Sequence, residues 1–417
     1  MTSANVADSI SADSISADSI FLARQPIFDQ DLVLFAYELL FRSNETNQSG
    51  VDVINGDSAT SQVINNTFLE FGIEDVLGGK LGFINLTRAF LTREIPLPFH
   101  HHNVVLEVLE DIKIDDEIIK SVKQFSEQGF TIALDDFIYH EDLKPLVDVA
   151  NIIKIDLLAL SAKELIEHVK ILKPFNVRLL AEKVETEAQF QLCKELGFDY
   201  YQGYFFCKPT ILDGKPLPEN KMTSLRLLSE LQRPEISIKE VEELIKHDVS
   251  LSLKLLRCLN SAAFSFSKPV DSIKEAVIYL GLDTIKSWAT IISFSKINAA
   301  PPTELLTTAL VRAKMSESLA SHFDCARETA FTLGLFSVTD ALLNRPMLEL
   351  LKPLPLSTML KVALLNEEGP LGALLIFLKA HERGSLTDIP DSLSIAIINQ
   401  AFLTATVWVN DSLESIK

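Results

Sequence analysis

In the first half of this chain, each short apolar run ends in or contains an acid or an amide. Glu38 lies in Tyr37-Glu38-Leu39-Leu40, Asn85 in Phe83-Ile84-Asn85-Leu86, and Glu107 and Glu110 in Leu106-Glu107-Val108-Leu109-Glu110. Asp135-Asp136 close Ile132-Ala133-Leu134, and Lys154 and Asp156 sit in Ile152-Ile153-Lys154-Ile155-Asp156. Glu182 and Glu185 follow Leu179-Leu180-Ala181, and Gln202 lies in Tyr201-Gln202-Gly203-Tyr204. One such acid is usually a helix cap or a solvated loop residue. A whole set in one half of a chain points to a common site. Ionised carboxylates crowded into one pocket repel unless a cation sits between them or they bind protons. An all-oxygen set of Glu, Asp and Asn suits Mg²⁺ or Mn²⁺ better than zinc. Two adjacent aspartates with further acids around them can bridge two ions, and such a pair activates water and stabilises both oxygens of a displacement at phosphorus.

The elements that must position these groups follow from the same runs. Phe21–Ala23, Leu32–Leu40, Leu81–Leu86, Val104–Leu109, Thr131–Leu134, Ile152–Ile155, Arg178–Ala181 and Tyr200–Tyr204 read as strands, with helix-like segments such as Asp115–Gln128 and Ser161–Lys173 between several of them. Strand and helix alternating in this way predict mostly parallel βα units. About eight strands in this length predict a compact TIM-like (β/α) barrel, ahead of an open doubly wound sheet. In such a barrel the C-terminal strand ends share one face, so acids distant in sequence converge.

Outside the barrel, residues 1–19 carry most of a threefold Ala-Asp-Ser-Ile repeat and read as a flexible low-complexity tail. The barrel occupies 20–209, a linker rich in Pro, Gly and Lys occupies 210–221, and 222–417 repeats Leu, Ile and Val at helical spacing. The expected fold class is therefore α/β plus all-α.

The net charge of −19 argues against duplex nucleic acid as a partner, since neutralising phosphates takes clustered Lys and Arg. Divalent cations can still bring a phosphate ligand to an acidic pocket. The longest apolar stretch, around Leu371 to Leu378, is too short to span a membrane, and no signal peptide precedes it. Four cysteines lie far apart with no CxxC pair, which fits a reducing cytoplasm. His100–His102 read as surface residues, and His247-Asp248 as a helix-terminus or loop pair rather than a metal site.

The first domain resembles the EAL family, whose members hydrolyse cyclic di-GMP to linear pGpG. The resemblance runs from about Phe21 to Lys208. It is carried by Gln25-Pro26-Ile27, Glu38-Leu39-Leu40 with Arg42, Asn85, Glu107, Asp135-Asp136, Lys154-Ile155-Asp156, Ala181-Glu182 with Val184-Glu185-Thr186, and Gln202-Gly203-Tyr204. It implies that Glu38, Asn85, Glu107 and Asp135 hold one Mg²⁺ or Mn²⁺, and that Asp135, Asp136 and Glu182 contribute to a second. Lys154, Glu182 and Gln202 would be the catalytic groups, with Lys154 orienting water or steadying a phosphate oxygen. Gln25, Arg42 and Asp156 would contact the cyclic dinucleotide, and Glu185 would support the loop after the aspartate pair. Active members carry Phe-Gly-Thr-Gly-Tyr-Ser in that loop. Here it reads Phe137-Ile138-Tyr139-His140-Glu141-Asp142, without the glycines that permit unusual backbone shapes.

The second domain resembles HDOD domains, helical relatives of the HD hydrolases. The matching text is His247-Asp248-Val249-Ser250-Leu251, Leu255-Leu256, Asn260-Ser261-Ala262-Ala263-Phe264 and Ser272-Ile273 through Leu280-Gly281-Leu282. Gly334-Leu335-Phe336-Ser337-Val338 stands where a hydrolase would carry His and Asp, so this half is expected to bind a protein partner rather than to catalyse. The two resemblances imply a cytoplasmic signalling phosphodiesterase, a homodimer being one arrangement they allow, with motility or biofilm control as its setting. The alternatives are a non-catalytic cyclic di-GMP receptor that signals through the helical domain and, more weakly, a scaffold.

Overall fold

The computed structural model describes residues 20–43, 73–92, 97, 100–203, 219–260, 270, 272–295, 303–385, 389–390 and 392–414. The Ala-Asp-Ser-Ile tail and most of the 210–221 segment lie outside the described residues. Strands β1 (Ile20–Asp29), β2 (Leu34–Ser43), β3 (Leu81–Leu86), β4 (Val104–Val108), β5 (Thr131–Leu134), β6 (Ile152–Asp156), β7 (Arg178–Glu182) and β8 (Tyr200–Tyr201) close a barrel in sequence order. Consecutive strands from β2 to β8 are parallel, whereas β1 runs antiparallel to both β2 and β8. The cause is local. Asp29 Oδ1 accepts from the backbone N–H of Asp31 at 3.0 Å and of Val33 at 2.9 Å, and Leu32 takes φ 58°, so β1 and β2 form a hairpin. A connection this short joins only antiparallel strands.

The lumen is built in two layers. Ile27, Ala36, Phe83, Val105, Ala133, Ile152, Leu180 and Tyr200 form a buried apolar plug, one from each strand, with Phe35 stacked on Tyr200 at 4.1 Å. Side chains two residues apart on a strand share a face. Two residues beyond each plug residue, toward the mouth, stand Gln25, Glu38, Asn85, Glu107, Asp135, Lys154, Glu182 and Gln202. One alternation thus supplies both the floor and the polar mouth. Helices Asp116–Glu127, Ala162–Leu172 and Glu187–Leu196 follow three of the strands. Asp115 caps the first, and Ser161 and Thr186 complete capping boxes at the other two.

Beyond the barrel the described chain is helical, in two packing units. Helices Glu219–Leu231, Ile238–Lys246, Val249–Leu259, Ile273–Leu280 and Leu282–Ser295 supply a separate core containing Leu251, Leu255, Ala276 and Ile292. Asp248 is the N-cap of the third of these, accepting from Leu251 N at 2.9 Å, which explains the His247-Asp248 pair without a metal. Helices Thr303–Leu319, Arg327–Phe336, Gly369–Glu382 and Ile395–Glu414 instead share one continuous apolar cluster with the barrel. The first, third and fourth of these dock on the β1–β2 hairpin, and Arg327–Phe336 packs against Thr303–Leu319 behind them. Leu22 N donates to Asn399 Oδ1 (2.9 Å), Phe21 meets the His381 ring edge-on at 4.6 Å, and Tyr37 Oη donates to Glu304 Oε2 at 2.8 Å.

Candidate active site

Lys154 stands at the centre of the mouth, fully buried, and its ammonium faces four carboxylates. Nζ lies 2.6 Å from Asp135 Oδ1, 2.7 Å from Glu107 Oε1, 3.0 Å from Glu182 Oε1 and 3.5 Å from Glu38 Oε1. Burial alone would depress its pKa, but Asp135, Glu107, Glu182 and Glu38 more than offset this and hold it well above 10.5. One ammonium cannot balance so many acids. Burial pushes the Glu107 and Glu182 carboxyls well up, Lys154 pulls them down, and repulsion from Glu38 and Asp135 adds to the rise. Asp136 is raised first by burial and then by its neighbour Asp135.

The site therefore has room for further positive charge. Asn85 Oδ1, Glu107 Oε2, Asp136 Oδ1 and Glu182 Oε2 are buried acceptors that no donor satisfies among the described residues. Buried polar atoms are normally paired, so a set of bare oxygens at one end of the barrel is what a hard cation would satisfy. Oxygens of Asp135, Asp136 and Glu182 lie within 4.8 Å of one another. Register aids the gathering, since Asn85 stands opposite Glu107. The residues fit a divalent ion.

Two amides close the β1 side. Gln202 Nε2 donates to Glu38 Oε2 at 2.7 Å and to Gln25 Oε1 at 3.0 Å, and Gln25 Nε2 donates to the carbonyl of Glu382 at 3.2 Å. Gln202 reaches this place because Gly203 follows it. A Cβ on Gly203 would lie 2.3 Å from the backbone of Val184, at φ 153°. Gln25 and Gln202 also line a cavity of about 110 Å³ shared with Glu304, Lys379, Arg383 and Phe402 of the docked helices.

A family model described as the EAL domain matches residues 79–209, and one described as the HDOD domain matches 217–343. Cyclic di-GMP phosphodiesterase CdgJ of Vibrio cholerae is 33% identical over 400 residues, covering 94% of this chain and 92% of CdgJ. The chain belongs to the EAL–HDOD family. YuxH of Bacillus subtilis is also 33% identical, over 411 residues, with 95% of this chain and 99% of YuxH covered. Among solved structures, the Bacillus subtilis YkuI protein, with an EAL domain and in complex with cyclic di-GMP and calcium, is 20% identical at a TM-score of 0.38. That match covers 55% of this chain and 73% of YkuI.

Within this EAL barrel the structure brings Glu38, Asn85, Glu107, Asp135, Asp136, Lys154, Glu182 and Gln202 to one mouth, with Gln25 beside them. Asp156 stands apart from the Lys154 cluster, bonded to Lys183 Nζ at 2.6 Å and accepting from Leu158 N at 2.7 Å. Glu185 is exposed in the turn before the Glu187–Leu196 helix, where its N–H donates to Gln189 Oε1. Glu110 is exposed beyond β4. The side chain of Arg42 lies outside the described residues. In the loop after Asp136, Phe137 is buried and its N–H donates to the Lys154 carbonyl at 3.1 Å, while Ile138 is half exposed. Tyr139 packs on Phe175 at 5.7 Å and donates to Glu141 at 2.9 Å. The altered loop is thus held by side chains where glycines are expected. His100 and His102 stack on each other at 5.7 Å at the surface, away from the acids.

Sequence reasoning missed Lys183. It takes φ 55° and reaches both Asp156 and, at 3.6 Å, Asp136, placing a second ammonium at the edge of the site. Its position directly after Glu182 was the one available signal.

Proposed function

We propose that this chain is a divalent-metal-dependent phosphodiesterase that opens cyclic di-GMP to linear pGpG. The observation that carries the reading is the buried ring of carboxylates around Lys154, with bare oxygens left over at the barrel mouth. In this reading Glu38, Asn85, Glu107 and Asp135 hold one Mg²⁺ or Mn²⁺, and Asp135, Asp136 and Glu182 contribute to another. Bound there, such ions supply a water of lowered pKa and positive charge against the phosphoryl oxygens. The chain's own groups position and balance. Lys154 keeps four acids in place and would orient the attacking water or steady a phosphate oxygen, while Gln202 fixes the orientation of Glu38. Gln25, Arg42 and Asp156 are assigned to the dinucleotide and Glu185 to support of the loop. The barrel takes residues 20–209, the linker 210–221, and 222–417 the protein-binding half, whose exposed Ile238, Leu253 and Ile278 support that role. We place the protein in the cytoplasm. Buried Cys193 and Cys258, whose thiols burial pushes up to about 12 and about 11, fit such a setting. No helix among the described residues is long and apolar enough to cross a membrane.

A second reading, a receptor that binds cyclic di-GMP without cleaving it, is favoured by the Phe137–Asp142 loop and by Lys183 over Asp136. One experiment separates them. Purified protein is incubated with cyclic di-GMP and Mg²⁺ or Mn²⁺, and the linear product is followed by chromatography beside Glu38→Ala. Product from the wild type alone supports the enzyme. Binding without product supports the receptor, and equal turnover in the variant refutes the site.

A further inference from the structure

The barrel's site does not end at the barrel. From Glu38 a run of hydrogen bonds leads through Gln202 and Gln25 to the carbonyl of Glu382, at the last turn of the Gly369–Glu382 helix. The carboxylate of that same Glu382 is gripped by Arg312, with Nε to Oε1 at 2.5 Å and Nη2 to Oε2 at 2.6 Å. Arg312 is buried on the Thr303–Leu319 helix, and its remaining arm donates to Ser337 Oγ at 2.9 Å. Ser337 in turn donates to the carbonyl of Gly334 at 2.7 Å. A Cβ on Gly334 would lie 2.4 to 2.5 Å from the backbone of Arg312 and Ala313, so the two helices touch backbone to backbone at this point. Gly334 to Ser337 is the stretch that stands in place of a hydrolase motif. Its place in the fold is against Arg312.

We propose that Arg312 is a positioning residue for the barrel's site. A side-chain amide rotates freely unless both its ends are held, and Gln25 is held at one end by Gln202 and at the other by Glu382. A two-pronged guanidinium–carboxylate pair fixes direction as well as distance. With Arg312 in place, the end of the Gly369–Glu382 helix presents its carbonyl to Gln25. Gln25 then presents its oxygen to Gln202, and Gln202 keeps its Nε2 on Glu38. The helical half is in this way a second layer around the metal-binding acids rather than an appended module. Layers of this kind typically change metal affinity or activity by about 10- to 100-fold when broken. The inference rests on the assignment of Glu38 to a metal.

The test compares full-length Arg312→Met and Arg312→Lys with the wild type. Arg312→Met should lower kcat for cyclic di-GMP about tenfold or more while KM changes by less than about threefold. Mn²⁺ affinity, read by calorimetry without dinucleotide, should fall in the same direction, and Arg312→Lys should recover part of both. Gln25→Leu supplies the decisive comparison, because two changes on one path do not add. Adding Arg312→Met to Gln25→Leu should then cost little more than Gln25→Leu alone. Wild-type kcat and Mn²⁺ affinity in Arg312→Met overturn the proposal, as do losses that multiply in the double variant. If Arg312→Met does not fold, Glu382→Gln keeps the carbonyl, removes the charge pairing and is read the same way. A wild type that binds Mn²⁺ but turns nothing over sinks the phosphodiesterase reading alone, and the affinity measurements still decide this one.

Discussion

Glu304 offers a prediction independent of turnover. Its carboxyl is buried at the seam between barrel and helices, accepts from Tyr37 Oη, and is pushed up to about 7 chiefly by burial, with Arg24 and the Tyr37 bond pulling the other way. Arg24 is itself fixed nearby, its guanidinium 4.1 Å from the centre of the Tyr37 ring and donating to the Val76 carbonyl. A folded-state pKa raised from 4.5 means that the folded chain prefers the protonated acid. The contribution to stability is therefore complete below pH about 4.5 and is lost as the pH rises through about 7, where it amounts to about 3 kcal/mol. Glu304→Gln keeps the shape and removes the ionisation. Wild type and variant should unfold alike near pH 5, and the variant should be more stable by about 1–3 kcal/mol near pH 8, the lower figure allowing for a weaker Tyr37 bond. The measured quantity is the difference in urea midpoint at the two pH values. Every other ionisable group is common to the two proteins and cancels from that difference. A gap of the same size at both pH values, or one that closes as the pH rises, would refute the reasoning.

Two further outcomes follow from the barrel. Lys154→Met leaves the acids without their ammonium and should cost about 3–5 kcal/mol near pH 8 without divalent ions. Mn²⁺ should restore part of it, and so should acid, because Glu107 and Glu182 have raised folded pKa values and lose their contribution as the pH rises; unfolding curves insensitive to both would contradict the charge balance drawn for the mouth. Lys183→Gly relieves a positive φ worth about 1 kcal/mol and removes a half-exposed ion pair worth about 0–1 kcal/mol, so stability should barely move. Calorimetry should show Mn²⁺ bound several-fold more tightly, and weaker binding would mean that Lys183 organises Asp136 and Asp156 rather than competing at them.

Much of the barrel was legible because its information is local. A plug residue and a site residue sit two apart on each strand, so Phe83 with Asn85 or Ile152 with Lys154 shows the pattern within five letters. The helix start at Ser161 was legible for the same reason, since a cap and its partner lie three residues apart. The reversal of β1 was not foreseen, although the short segment from Asp29 to Leu34 held the cue. A run of apolar residues gives a strand's existence but not its direction, which the turn decides.

What stayed hidden depends on contacts between residues remote in the chain. Tyr37 and Glu304 are 267 positions apart, and Gln25 and Glu382 are 357 apart. Neither pair leaves a trace in spacing or periodicity, because each partner reads locally as an ordinary polar residue. The same holds for the division of the helical half. Leucines at helical spacing show that a helix buries one face and not what it buries it against. Leu251 and Leu310 look alike in sequence, yet the first packs among neighbouring helices and the second belongs to the cluster shared with the barrel. A helix that completes another domain's site is therefore identified by its polar residues. Glu304, Arg312 and Glu382 are all buried or half-buried ionisable groups, and each finds its partner on a different element. Burying such a charge costs stability unless the partner is there to meet it. Arg312 and Glu382 meet within the helical half, whereas Glu304 meets Tyr37 of the barrel, so it is Glu304 that ties these helices and the barrel into one folding unit.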